Sequence, residues 1–221
     1  MNADRIQDLF VRLQERRTNP HAFEQWREYR DFLTSVIIQG SRDDMDIGIF
    51  GAGRCNDLDL HRLSEYFHSV TLIDRDLIAM REACVRYGIP EYGNVRVCLC
   101  DFVGLSQQDY VQFAKKCFML IEKFGPDPYS VKLIEGVVAY LSCLYRKATG
   151  SADFCEQYGS VVSAGVHSQL NEMPAHIWEE SMRFFGVEID PLSDPVTSRI
   201  HRETLRLVLS YDDLLFSSAI K

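Results

Sequence analysis

The chain has 221 residues, enough for one domain with additions, and 46% hydrophobic residues supply a core. Its formal charge of −8 excludes a generic grip on nucleic acid, which needs clustered Lys and Arg against phosphate. No apolar run approaches the roughly 18 to 20 residues of a membrane span, and the start, Met-Asn-Ala-Asp-Arg, has no apolar signal core.

Residues 3–16 place Ile6, Leu9, Phe10 and Leu13 on a helical stripe. The basic run from Arg12 to Arg17 is interrupted by Glu15 and reads as a solvated helix face rather than a binding patch. Asn19-Pro20 breaks this helix. A second amphipathic helix over about 21–39 carries Phe23, Trp26, Tyr29, Phe32, Leu33 and Val36. Trp26 and Tyr29 read as core packing, with a lid over a cofactor as the alternative. Together these helices form an N-terminal cap, residues 1–44, ahead of the region 45–221. There strands and helices alternate: a strand at about 45–50, a helix at 55–68, a strand at 69–74, a helix at 76–87 and a strand at 95–100. Such alternation implies an α/β, doubly wound, mostly parallel sheet with right-handed crossovers. Two helices at about 107–124 and 128–147, split by Gly125-Pro126-Asp127-Pro128, read as a helical insertion over about 104–150. Next come a strand at 159–165, an amphipathic helix at 172–185, a helix at 196–210 and a fifth strand at 214–220. A hairpin of 205–210 with 214–220 is the alternative. The cysteines are seven, an odd number, with no Cys-x-x-Cys pair. A zinc site is therefore not expected, and reduced thiols in a reducing, cytoplasmic compartment are the simple reading.

Ligands of open α/β sheets gather at the carboxyl ends of the strands. Here those ends carry Gly51-Ala52-Gly53, Asp74 with its neighbour Arg75, Asp101 with Phe102, and Ser163-Ala164-Gly165. The gap from Gly53 to Asp74 is 21 residues, the layout of a nucleotide site at the first turn of such a sheet. Glycines allow close backbone approach, a helix N-terminus accepts phosphate or carboxylate, and an acid binds ribose hydroxyls. Any one of these features has a bland reading, as a tight turn or a helix cap. Their succession at three strand ends points to an adenosine-containing cofactor.

From Asp46 to Asp101 the chain resembles the first half of a class I S-adenosylmethionine-dependent methyltransferase, and the resemblance extends over about 46–170. It implies a Rossmann-like sheet and S-adenosylmethionine as cofactor, leaving S-adenosylhomocysteine as product. By position, Gly51, Ala52 and Gly53 would let the backbone approach the methionine part. Asp74 would bind both ribose hydroxyls, and Asp101 the adenine amino group, with Phe102 beside the base. Ser163, Ala164, Gly165 and His167 would lie near the methyl group, with His167 as candidate base and Ser168 and Gln169 positioning substrate. The family's third glycine is Cys55 here; Asn56 and Asp57 follow, and Asp57 either caps the next helix or meets the cofactor's ammonium. The family's seven-strand sheet also calls for strands beyond the fifth, so a shortened fold, a fragment or a miscount of strands is expected. The implied substrate is a small molecule, with neither nucleic acid nor membrane as partner, and a homodimer is open. The cap and insertion would roof the pocket. Two other classes stay open. One is a nicotinamide-dependent oxidoreductase, disfavoured by Asn56 at the third glycine of Gly-x-Gly-x-x-Gly and by the lack of a Tyr-x-x-x-Lys pair. The other is a cofactor-binding protein without catalysis.

Overall fold

A computed structural model describes residues 8–12, 19–90, 93–101, 104–148 and 156–219, with the side chains of 167–171 and 206 left out. The expected Phe102 contact therefore lies outside the described residues. In chain order the elements are α1 (Ala22–Gln25), α2 (Arg27–Gly40), β1 (Asp46–Phe50), α3 (Leu60–Tyr66), β2 (Ser69–Asp74) and α4 (Leu77–Arg86). There follow β3 (Val95–Leu99), α5 (Gln107–Phe124), α6 (Val131–Ala148), β4 (Ser160–Ser163), α7 (Val166–Phe184) and α8 (Pro195–Ser218). Residues 8–12 are also helical. No described helix is long and apolar enough to cross a membrane.

The sheet is all-parallel with strand order β3-β2-β1-β4, so the chain is α/β and compatible with a Rossmann-like fold. Ile47 and Ile49 of β1 lie opposite Val70 and Leu72 of β2. Those four side chains are fully buried in one cluster with Leu60 and Leu63 of α3 and Met80 and Ala83 of α4. Near-continuous apolar strands of this kind are what a sheet with helices packed on it requires. On the other face Gly48 admits the ring of Tyr158; a Cβ there would lie 2.5 Å from it. The Tyr158 hydroxyl donates to Glu156 at 2.6 Å.

By contacts the chain divides into two compact units. One is the sheet unit, residues 19–102, 152–166 and 212–221. The other is helical: 1–18, 103–151 and 167–211. The helical unit has its own core, including Phe113, Phe118, Tyr145, Trp178, Met182 and Ile200. Within it Arg12 lies 3.7 Å from the buried carboxylate of Glu180, which Arg183 also engages. α5 starts in a capping box, Ser106 with Asp109. Asp194 caps α8, accepting the Thr197 N–H at 2.6 Å, with Pro195 at the first helical position. The same carboxylate oxygen accepts the Trp178 indole N–H at 3.0 Å.

Four expectations change. The fifth strand and the hairpin are both replaced by helix, since α8 runs to Ser218. Within 207–218 the buried positions are Leu207, Tyr211, Leu214 and Ser218, a helical period rather than an alternation of two. Among the described residues, strand-like pairing there is limited to an isolated parallel bridge of Tyr158 with Ala219. The helix expected from 55 starts at Leu60, because the chain from Gly51 to Asp59 is a loop with Cys55 at φ +48°. The helix expected from 172 starts at Val166 and runs through Pro174. The helix expected over 21–39 breaks at Trp26, and Trp26 and Tyr29 are 43% and 55% exposed rather than core.

Candidate functional site

The carboxyl ends of β1 and β2 are tied by the loop that follows β1. The Gly51 N–H continues the sheet pattern to the Ile73 carbonyl at 2.8 Å, then the chain turns with Gly51 at φ +76° and Gly53 at φ +47°. The two glycines differ in what surrounds them. A Cβ at Gly51 would lie 2.1 Å from Val166 and 2.8 Å from the Ala164 carbonyl oxygen. At Gly53 the nearest atoms are Asp74 Oδ2 at 3.9 Å and the Gly51 oxygen at 4.0 Å. Gly51 thus serves packing, whereas a Cβ at Gly53 would make only ordinary contacts.

Asp74 closes the loop. Its Oδ2 accepts the Gly53 N–H at 3.0 Å and its Oδ1 accepts the Asp76 N–H at 2.9 Å. Half-buried, the carboxylate holds the loop and turns β2 toward α4, which Asp76 caps through the Ala79 N–H at 2.9 Å.

The rest of the loop is held through its carbonyls. Tyr87 donates its hydroxyl to the carbonyl oxygens of Cys55 at 3.0 Å and Leu58 at 2.7 Å. Arg30, only 5% exposed, donates to the Asn56 carbonyl at 3.0 Å and to the Phe23 carbonyl at 2.7 Å. Arg86 donates to the Asn56 side-chain oxygen at 2.7 Å. Both guanidinium groups lie over the Phe23 ring, at 4.1 and 4.6 Å from its centroid. Thr34 accepts the Asp59 N–H at 2.9 Å. Sequence reasoning missed Arg30, Thr34, Arg86 and Tyr87, whose contacts to the loop span 25 to 32 residues and mostly meet main-chain atoms. Such contacts leave no local pattern to read.

Acids dominate this end of the sheet. Asp59 caps α3 by accepting the Arg62 N–H at 3.1 Å, so a carboxylate already occupies that helix N-terminus. Asp57 is half-buried and does not cap α3. Burial pushes its carboxyl above the usual range, opposed by its own amide and by the field of Arg30. Burial, then the charge of Asp57, pushes the Cys55 thiol up and keeps it protonated. Arg54 is paired with Glu82 at 2.7 Å.

The remaining predicted residues fall as follows. Ala52 is buried under the loop, and Arg75 is exposed just past β2. Asp101 is exposed, two residues past β3, where the Cys100 N–H bonds the Asp74 carbonyl at 3.0 Å. Ser163 ends β4 opposite Phe50. The Ala164 N–H reaches the Phe50 carbonyl at 2.9 Å, and Gly165 turns at φ +67°. His167 lies in the first turn of α7, and its side chain, like those of Ser168 and Gln169, is outside the described residues. Gly51, Ala52, Gly53, Asn56, Asp57, Asp74 and Ala164 are therefore gathered around one loop, whereas the hydrogen bonds of that loop do not draw Arg75 into it. A separate open hollow of about 360 Å³ runs along α4, lined by Ile78, Arg81, Glu82, Val85 and Arg86. It holds none of the predicted residues.

No protein-family model, no curated protein and no solved structure matches the chain.

Proposed function

We propose that the β1–β2 strand ends bind S-adenosylmethionine and that the chain transfers its methyl group to a small molecule. The observation that carries this reading is the Asp74 carboxylate against Gly53. A carboxylate has about four lone-pair sites, and two are taken by the Gly53 and Asp76 amides. Two remain for the two hydroxyls of a ribose, beside Gly53, where no side chain stands.

The charge around the loop favours a cationic cofactor over a dinucleotide. A pyrophosphate bound in the Gly-x-Gly-x-x-Gly manner needs a free helix N-terminus next to the glycines. Here α3 starts seven residues after Gly53, and its N-terminal amide is bonded to Asp59. Asn56, at the third glycine position, is held by Arg30 and Arg86. Asp57 is left for the ammonium of an amino-acid moiety; burial raises its carboxyl, and its own amide, the field of Arg30 and the incoming cation oppose that rise.

A bound sulfonium cofactor supplies an already activated methyl, so alignment of the acceptor does most of the work. Asp74 and the glycine loop hold and orient it. Asp101 meets the adenine edge, and Ser163 to Gly165 border the transferring end. His167 takes a proton only from an acceptor that must lose one.

Calorimetric titration with S-adenosylmethionine, S-adenosylhomocysteine, NAD and NADP tests the reading. The sulfur nucleosides should bind and the dinucleotides should not; silence toward both sulfur nucleosides overturns it. Methyl transfer from radiolabelled cofactor into a pool of small molecules then separates an enzyme from a binder.

A further inference from the structure

The helix that leads into the sheet carries an apolar strip on its outer side. Trp26, Tyr29, Phe32 and Val36 are 43%, 55%, 66% and 48% exposed. Tyr29, Phe32 and Val36 share one side of α2 at about 3.6 residues per turn, and Trp26 stands just ahead of its first turn. The inner side is already used: Arg30 and Thr34 are buried, and Leu33, Ile37 and Ile38 pack on the sheet-unit core. A row of exposed aromatic residues on a globular surface marks an interaction site. Glu24, Glu28 and Asp31 border the strip, all exposed, and their carboxylates have no ion-pair or hydrogen-bond partner among the described residues. The exposed cation between residues 22 and 36 is Arg27.

The same chain presents a face of opposite character on α8. Leu205 and Leu209 are 58% and 65% exposed. Arg199 and Arg202 are exposed on the preceding turns, and neither has an ion-pair or hydrogen-bond partner among the described residues. His201 is exposed between them, and Asp213 is exposed one turn beyond Leu209. The apolar pairs match in spacing, Phe32 with Val36 and Leu205 with Leu209, so one turn of each helix can seat one turn of the other.

We propose that the chain self-associates, the α2 strip of one copy receiving the α8 strip of a second. With the helices running in the same direction, the acidic border of Glu28 and Asp31 meets the basic border of Arg199 and Arg202. The acidic border turns away anionic lipid and nucleic acid, and the complementary surface is supplied by this chain itself. Complementary rims of this kind fix partner and register. A contact between two different surfaces closes into a pair only when it is made twice.

Sedimentation velocity across a wide loading range, on the full chain without cofactor, tests this. The expected result is a mass that rises with concentration. Phe32→Glu and Leu205→Glu, each at an exposed position, should weaken association by about tenfold or more while leaving thermal melting unchanged. Glu28→Arg with Asp31→Arg should do the same, and adding Arg199→Glu with Arg202→Glu should restore it. A monomer at every loading overturns the proposal. So does association indifferent to Phe32→Glu and Leu205→Glu, or a charge swap that fails to restore it.

Discussion

Each unit of the chain uses an aspartate to join segments far apart in sequence, but the two aspartates work in opposite surroundings. In the helical unit Asp194 is 3% exposed and ties α7 to the start of α8 through the Trp178 indole and the Thr197 amide. In the sheet unit Asp74 is half-buried and ties β2 to the glycine loop through two main-chain amides. Asp194 takes both bonds on Oδ2, and its Oδ1 is buried without a hydrogen-bond partner among the described residues, closed to any ligand. A half-exposed carboxylate at a strand end can support the loop and still face a ligand.

Four substitutions break or sharpen this contrast. The largest effect is expected from Asp194→Ala, which strands a buried indole N–H and uncaps α8. Those losses should lower stability by about 3 kcal/mol in urea unfolding, and unchanged stability would remove the structural role. Gly51→Ala comes next, at about 2 kcal/mol, since its φ is left-handed and its Cβ would strike Val166. Gly53→Ala, also left-handed but with its nearest atoms at ordinary contact distance, should cost about half as much, and equal losses would erase the distinction between the two glycines. Asp74→Ala should weaken S-adenosylmethionine binding by at least about tenfold, roughly 1.4 kcal/mol, with a smaller loss of stability. The reverse ranking would make Asp74 another Asp194.

The smallest effect concerns pH. The Asp57 carboxyl is raised in the fold, chiefly by burial. The folded chain therefore holds this proton more tightly than the unfolded one. Its contribution is complete below the ordinary aspartate value, about 3.9, and is lost as pH rises through the higher folded value. Asp57→Asn should accordingly be neutral to stability at low pH and slightly stabilising near pH 7. A stability–pH profile parallel to that of the unsubstituted chain would refute the shift.

Much of the sheet was legible in the sequence because its signals are local. The apolar runs ending in Gly51, Asp74 and Ser163 mark three strands whose ends agree with the sequence reading within two residues. Gly125 and the prolines beside it part α5 from α6. The region from 214 to 220 misled because Leu214, Leu215 and Phe216 are a short apolar run, and such runs fit strand or buried helix alike. The buried sequence Leu207, Tyr211, Leu214, Ser218 decides for helix only once a core exists to receive it. Trp26 and Tyr29 misled differently. Helical spacing identifies a stripe but not the side that turns inward, and in α2 the inward side includes the polar Arg30 and Thr34, one bonded to the loop carbonyl of Asn56 and the other to the amide of Asp59. For the candidate site, the glycines and acids were readable, while the clamp of Arg30, Arg86 and Tyr87 was not.

Cys55 turns the loop into a clock. Its thiol is fully buried and protonated, at a left-handed residue whose carbonyl is bound by Tyr87. An alkylating reagent reaches it only when the loop lifts, whereas Cys143 is exposed and reacts first. The rate at which mass spectrometry finds Cys55 labelled therefore times the opening of the β1 loop. A ligand that seats against Gly53 and Asp74 should slow that clock in proportion to its occupancy, even before any reaction partner is known.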